Sequence, residues 1–192
     1  MKNRYILLRH GETIYQTKNK GKIYPYPEKP PIPLTKKGKE QIKVATKKLK
    51  NKKIDLIYSS DFFRTRQTAE IVAKTLGLRI KLDKRLRDIN SGVFQGKLVQ
   101  DYRNFFSTPE QKFSKRPPKG ENWRDVIKRA KDFLNSIERK HKGKTILVVS
   151  HGDPIWILAC VIIGIDKEEE ILKKRDEGFL PEVGKFLKIN NF

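Results

Sequence analysis

The sequence predicts an α/β fold, a mainly parallel sheet covered by helices on both faces. Three observations predict it. Short apolar runs such as "YILL" and "TILVV" read as strands buried on both sides. Segments with apolar residues at helical spacing alternate with those runs, the order that builds a parallel sheet. Two of the runs, "LLRHG" and "VVSHG", end in the same histidine–glycine pair. In open α/β sheets that carboxyl end is where ligands bind.

Each element follows in order. Ile6, Leu7 and Leu8 form the first strand, which ends abruptly in Arg9, His10, Gly11 and Glu12. The prolines of the next stretch, "KIYPYPEKPPIP", forbid a helix interior or a central strand. Thr35 is placed to cap a helix reaching about Leu49, with Ile42, Ala45 and Leu49 on one face. "IDLIYSS" is a second buried strand. Ser60 or Asp61 is expected to cap the next helix, where Ala69, Val72, Ala73 and Leu76 share a face and Gly77 closes the last turn. "LRIKL" is a third, shorter strand.

Regularity fades from Arg85 to Gly120. "DINSGVFQG" reads as a loop, "KLVQDYRNFF" as a short helix and "STPEQKFSKRPPKG" as breaker-rich chain. A long irregular stretch in a small domain usually carries function, as a lid or binding loop. Beyond it, Trp123, Val126, Ile127, Ala130, Phe133, Leu134 and Ile137 trace an amphipathic helix. "KTILVVSHGD" is the most apolar strand; Asp153 is expected to cap a following helix, with Pro154 in its first turn. Trp156 and its apolar neighbours read as core, and "GKFLKI" as an edge strand. One domain over residues 1–192 is expected, with lid-like segments at about 14–34 and 91–120.

Composition narrows the function. A chain of 192 residues is long enough for one buried core. Its net charge is +22, from 44 Lys and Arg against 22 Asp and Glu, a field that attracts polyanions and speeds phosphorylated ligands. The basic residues are scattered, as in "KKLKNKK" and "KHKGK", so a solvated surface is the preferred reading and nonspecific nucleic-acid contact the alternative. A single cysteine, Cys160, excludes an intramolecular disulfide and reads as a small packed residue. The apolar run Ile155–Ile163 is too short to cross a bilayer, and "YILL" too short for a secretory signal. A cytoplasmic protein with no membrane partner is expected. No Cys/His cluster has zinc spacing and no Gly-Lys-Ser phosphate loop is present, so neither metal nor cofactor is expected. His141, in "RKHKGKT", reads as a solvated turn residue.

If the two His-Gly strands are neighbours, both imidazoles face one crevice. The second strand runs into a helix N-terminus, whose free N–H groups favour an anion. "YSSDFFRTRQTAE" starts its helix at the same rim and brings Arg64 in the first turn. Singly these signals are weak; together they describe an anion site.

With these stretches in hand the chain resembles the histidine phosphatase superfamily, also called phosphoglycerate mutase-like. The similarity runs through "LLRHGET", "PLTKKGKEQ", "IYSSDFFRTRQTAE", "RLRDINSGVFQG", "PKGEN" and "VVSHGDPI", in family order over nearly the whole chain. The resemblance implies a three-layer α/β/α sandwich and a metal-independent phosphomonoesterase of the histidine acid type. His10 would be the nucleophile, forming a phosphohistidine, with a backbone carbonyl fixing its other ring nitrogen. Arg9 and Arg64 would grip the phosphoryl oxygens, helped by a protonated His151 and the Gly152 amide. The family's acid/base, usually glutamate, matches Asp88, which is shorter by about 1.5 Å of reach. Either the loop moves Asp88 inward, or Glu121 contributes; an exposed Asp88 paired with Arg85 or Arg87 is the bland alternative. Gln16 stands where asparagine commonly contacts the phosphoryl group, and Asn122 where serine is usual. Glu121 is grouped with the substrate-binding residues as an acid behind the site that orients an arginine or histidine, and reads equally as a simple helix N-terminal acid.

The resemblance leaves a phosphatase preferred over a cofactor-dependent phosphoglycerate mutase, because the insertions over the site are modest. A catalytically weak, basic nucleic-acid-binding protein is the alternative of another class. The substrate is expected to be a small phosphorylated molecule carrying further negative charge or a ring. A monomer or a homodimer fits equally.

Overall fold

A computed structural model describes residues 1–189 of the chain. The strands are β1 (Arg4–Arg9), β2 (Leu56–Ser59), β3 (Ile80–Leu82), β4 (Thr145–Ser150) and β5 (Phe186–Ile189). The helices are α1 (Lys36–Leu49), α2 (Phe63–Leu76), α3 (Val99–Asn104), α4 (Gln111–Ser114), α5 (Trp123–Lys140), α6 (Gly152–Ile162) and α7 (Glu168–Lys174). The strands form one sheet in the order β3-β2-β4-β1-β5, parallel except for β5, which runs antiparallel along β1.

β4 therefore returns between two strands laid down much earlier. This reversal of strand order opens a crevice at the carboxyl ends of β1 and β4. The register sets Arg9 beside Ser150, so His10 and His151 leave the sheet side by side.

Strand alternation sorts the core into two layers. Tyr5 and Leu7 of β1, with Ile146 and Val148 of β4, pack with residues of α5 and α6. Ile6 and Leu8, with Leu147 and Val149, pack with residues of α1 and α2 on the other face. The result is the three-layer α/β/α sandwich. Cys160 lies fully buried in α6, and burial pushes its thiol pKa up to about 12, which suits a packing role.

Helix ends follow local chemistry where the partner is near in sequence. Thr35 caps α1 by accepting from the Gly38 amide, and Gly77 ends α2 at φ +68°. Asn122 and Asp125 make a reciprocal capping box at the start of α5.

Long-range contacts change other expectations. Neither Ser60 nor Asp61 caps α2 by side chain to its first amide: Glu28, from the Pro-rich loop, accepts the Phe63 N–H, while Asp61 binds Arg87 through both oxygens. α6 starts at Gly152 behind His151, whose side chain makes no capping bond. Asp153 is inside that helix and accepts from the Trp123 indole N–H at 3.0 Å. His141 is not a solvated turn residue. It ends α5 partly buried, its Nε2 3.0 Å from the Tyr58 hydroxyl. The breaker-rich stretch holds α4, whose Phe113 is fully buried edge-on against Trp123.

The segments 14–34 and 91–120 are joined to each other. Ile23 donates to the Lys97 carbonyl, Gly96 to that of Ile23 and Val99 to that of Gly21, and the Tyr26 N–H reaches the Gln95 side chain. Together they make one roof, with residues of both lining a pocket at the ends of β1 and β4. Among the described residues no helix is long and apolar enough to cross a membrane.

Candidate active site

The pocket has a volume of about 300 Å³ and is reached from the ends of β1, α2 and α6. Its floor begins with a close crossing of backbones. A Cβ on Gly11 would fall 2.6 Å from the Gly38 carbonyl, and one on Gly38 2.2 Å from that of Glu12. Only glycine at both positions lets the chain leaving β1 cross the first turn of α1 at this distance. The Thr35 amide bonds the Glu12 carbonyl and its hydroxyl the Glu12 carboxylate, fixing the crossing.

His10 is buried there, with Nδ1 2.8 Å from the Gly11 carbonyl. A carbonyl only accepts, so Nδ1 carries the proton and Nε2 keeps its lone pair. Burial, then the Arg64 and Arg9 charges, hold its pKa well below the ordinary histidine value. The imidazole is neutral. The His151 ring lies 5.4 Å away between centroids, fully buried, with Nε2 3.0 Å from the Ser60 hydroxyl.

His151 Nδ1 is 3.6 Å from Asp88 Oδ2 and makes no hydrogen bond. Burial first, then Arg64, His10, Arg129 and Arg9, push its pKa well below the usual range. The expectation of a protonated His151 is thereby corrected: burial and three arginine charges favour the neutral ring.

Arg64, in the first turn of α2, is fully buried and its charge is shared. Nη2 donates to Asp88 at 2.9 Å, Nη1 is 3.2 Å from Glu28, and the guanidinium lies 4.0 Å from the centre of the Tyr24 ring. Arg9 donates through Nη1 to the Pro181 carbonyl, while its buried Nε has no partner. The Arg9 guanidinium passes over Gly152, where a Cβ would sit 3.3 Å from it. Gly152 thus makes room for the arginine as well as starting α6.

Asp88 faces the pocket with its side chain 23 % exposed. Burial raises its pKa above the ordinary aspartate value, against the opposing pull of Arg64. The bland alternative is removed, because Arg85 binds Asp83 and Arg87 binds Asp61. The segment is drawn inward by long-range bonds. Ser150 donates its hydroxyl to the Leu86 carbonyl, and Arg129 donates to the carbonyls of Arg85 and Asp88.

Glu121 does not line the pocket. Its carboxylate is held by Arg129 at 3.1 Å and by the Asn90 amide at 2.9 Å. Glu121 is therefore corrected as a substrate-binding residue and as a substitute acid, while the expected role of orienting an arginine agrees with its contact: it steadies the Arg129 that holds Asp88. Gln16 does reach the pocket wall, but its amide is engaged. Its oxygen accepts the Thr13 N–H and its nitrogen donates to the Tyr24 hydroxyl, so it acts on the pocket through Tyr24.

Tyr24 lines the pocket, while Glu28 and Ser60 stand behind it on Arg64 and His151; sequence reasoning gave none of the three a site role. A lone acid in the Lys- and Pro-rich "YPYPEKPPIP" was the signal for Glu28, and the alternating tyrosines were the signal for the wall. Among the described residues no group of three or more His, Cys, Asp or Glu is placed to hold a metal ion.

Comparison with known proteins places the chain in a family. The family model described as the histidine phosphatase superfamily (branch 1) matches residues 5–172. The chain is 29 % identical to phosphoserine phosphatase 1 of Hydrogenobacter thermophilus, the match covering 84 % of this chain and 76 % of the relative. It is 32 % identical to a probable phosphoglycerate mutase of Escherichia coli, covering 83 % and 74 %. Among solved structures it superimposes on a mycobacterial glucosyl-3-phosphoglycerate phosphatase with a TM-score of 0.76 at 23 % identity, covering 88 % and 84 %. It superimposes on the α-ribazole phosphatase of Shigella flexneri with a TM-score of 0.75 at 24 % identity, covering 95 % and 88 %. At those identities the two structures speak to the fold alone.

Proposed function

Because the chain belongs to the histidine phosphatase superfamily, branch 1, we propose that it is a metal-independent phosphomonoesterase of the histidine acid type, acting on a small phosphorylated substrate through a phosphohistidine on His10. One observation carries this reading: the His10 imidazole lines a pocket together with the guanidinium groups of Arg9 and Arg64 and the carboxyl of Asp88, and the buried His151 ring lies 5.4 Å from it.

The steps follow from the positions. An entering phosphate ester competes with Asp88 for Arg64, and Arg9 with the Gly152 amide takes further oxygens. Freed from its strongest counter-charge, Asp88 is left with burial and a neighbouring anion, both of which favour the protonated acid. The same anion favours a proton on His151, adding a donor as charge builds on the phosphoryl oxygens. Nε2 of His10 then attacks phosphorus. The ester P–O bond breaks, and the leaving oxygen takes the Asp88 proton. In the second half, water attacks the phosphohistidine, Asp88 takes the water's proton, and the P–N bond breaks to free phosphate and His10. Protein cations supply the electrostatic stabilisation that magnesium supplies in many phosphoryl-transfer sites.

The relatives named as mutases support a second reading, in which the phosphoryl group returns to substrate after priming by a bisphosphate. Both readings are tested at once. Phosphate release from monoesters with a chelator present, unchanged by added 2,3-bisphosphoglycerate, is the expected result. A rapid denaturing quench at alkaline pH should trap label on His10 and none in His10→Ala. Label elsewhere, or none, would overturn the mechanism.

A further inference from the structure

We propose that the pocket selects phosphate monoesters whose alcohol carries a flat ring and no second anionic group, a reading that rests on the phosphomonoesterase assignment above. Of the two substrate features expected from sequence, a ring or further negative charge, the geometry favours the ring.

Outside the phosphoryl-binding floor, Tyr15, Tyr24, Tyr26, Phe62 and Tyr102 form much of the wall. Tyr15 and Tyr24 stack with centroids 4.1 Å apart and planes 20° from parallel, and Tyr26 meets Phe62 edge-on at 5.4 Å. Tyr15, Tyr26 and Tyr102 are half-buried, so their rings still have surface to offer a ligand. They come from both roof segments, which the backbone ladder at Ile23, Lys97 and Val99 holds together before any ligand arrives. A preformed aromatic wall favours a flat ring, which keeps few torsions to lose and matches the tyrosine faces.

Charge argues the same way. Apart from Arg9, Arg64 and Asp88, the charged lining residues are Lys22 and Asp153, which cancel. Two further cations stand behind the lining and are already engaged: Arg87 is bound by Asp61 through both oxygens and lies against the Phe62 ring at 5.2 Å, and Arg129 is bound by Glu121. The +22 net charge is therefore not focused on the alcohol end of the pocket. A second phosphate or carboxylate placed there would meet one exposed lysine, Lys22, offset by the Asp153 carboxylate, too little to replace the water it loses. With about 300 Å³ in all, the pocket stands at the small end of ligand sites and suits a compact alcohol.

The test compares esters of primary alcohols, so that leaving-group chemistry is matched: benzyl phosphate, glycerol 3-phosphate and 3-phosphoglycerate. The expected kcat/KM is highest for benzyl phosphate, about 10-fold above glycerol 3-phosphate, with 3-phosphoglycerate lowest. Tyr15→Leu and Tyr26→Leu, made separately, should each lower the benzyl-to-glycerol ratio about 5-fold, mostly through KM; aromatic contacts of this kind support such a factor. Equal rates on the three esters, a preference for 3-phosphoglycerate, or a ratio unmoved in both variants would overturn the inference. Hydrolysis of none of them would instead overturn the phosphomonoesterase reading and take this one with it.

Discussion

The floor of the pocket and its roof meet in one cavity but are built by different means. On the floor, His10, His151 and Arg64 sit on strand ends and the first turn of a helix, where regular backbone sets each side chain's position. The roof has only short helices and a few ladder bonds, and its contribution is aromatic surface. On the proposed reading, the reaction is entrusted to elements whose geometry is redundant. The proposed selectivity falls to segments that can vary without disturbing the sheet. Glu28 belongs to both: it rides on the roof, caps α2 and touches Arg64.

If that division holds, floor substitutions change whether the chemistry runs, and roof substitutions change what it runs on. The largest effect is expected from His10→Ala, a loss of roughly 10⁴-fold or more in kcat with no trapped phosphoenzyme. Tyr26→Leu, by contrast, should still trap label; failure to do so would break the comparison outright.

Asp88→Asn comes next, with a loss on the order of 10²–10⁴-fold in kcat. Its pH signature is the sharper readout. His10 is held well below the ordinary histidine value, so wild-type kcat/KM should persist as pH falls well under about 6.5. Asp88 must be protonated to act as the acid, and its pKa is raised, so the rate should fall as pH climbs through that raised value. In Asp88→Asn the alkaline fall should vanish. A profile that keeps it would assign the acid to another group.

Arg64→Lys should lower kcat about 10²–10³-fold, because an ammonium cannot face two carboxylates and a phosphoryl group as a planar fork does. Loss only in KM would move Arg64 from transition-state contact to simple binding.

The smallest effect is expected at the joint. Glu28→Gln leaves Arg64 with Asp88 as its only carboxylate partner and weakens the cap on α2, costing about 1–3 kcal/mol of stability in a denaturant titration. One competitor for Arg64 is gone, so inorganic phosphate should inhibit several-fold more tightly. Weaker inhibition would show that Glu28 supports phosphoryl binding instead of opposing it.

Much of this molecule was legible before any coordinates. Alternating periodicity sets out the sandwich, and the two His-Gly strand ends with Arg64 mark the floor, because each depends on residues close in sequence. Asp88 is marked as the acid only by the resemblance through "RLRDINSG"; its inward position depends on Ser150 and Arg129, distant in the chain.

What the sequence by itself determined was the order of the elements and the residue types at their ends. What only the tertiary structure decided was pairing and burial: Glu28 on Arg64, Glu121 on Arg129, Asp61 on Arg87, and a His151 left neutral. The physical reason is that 22 acids distributed among 44 cations have no local rule for choosing partners. The choice, and every pKa that follows from it, is made by which surfaces the fold removes from water.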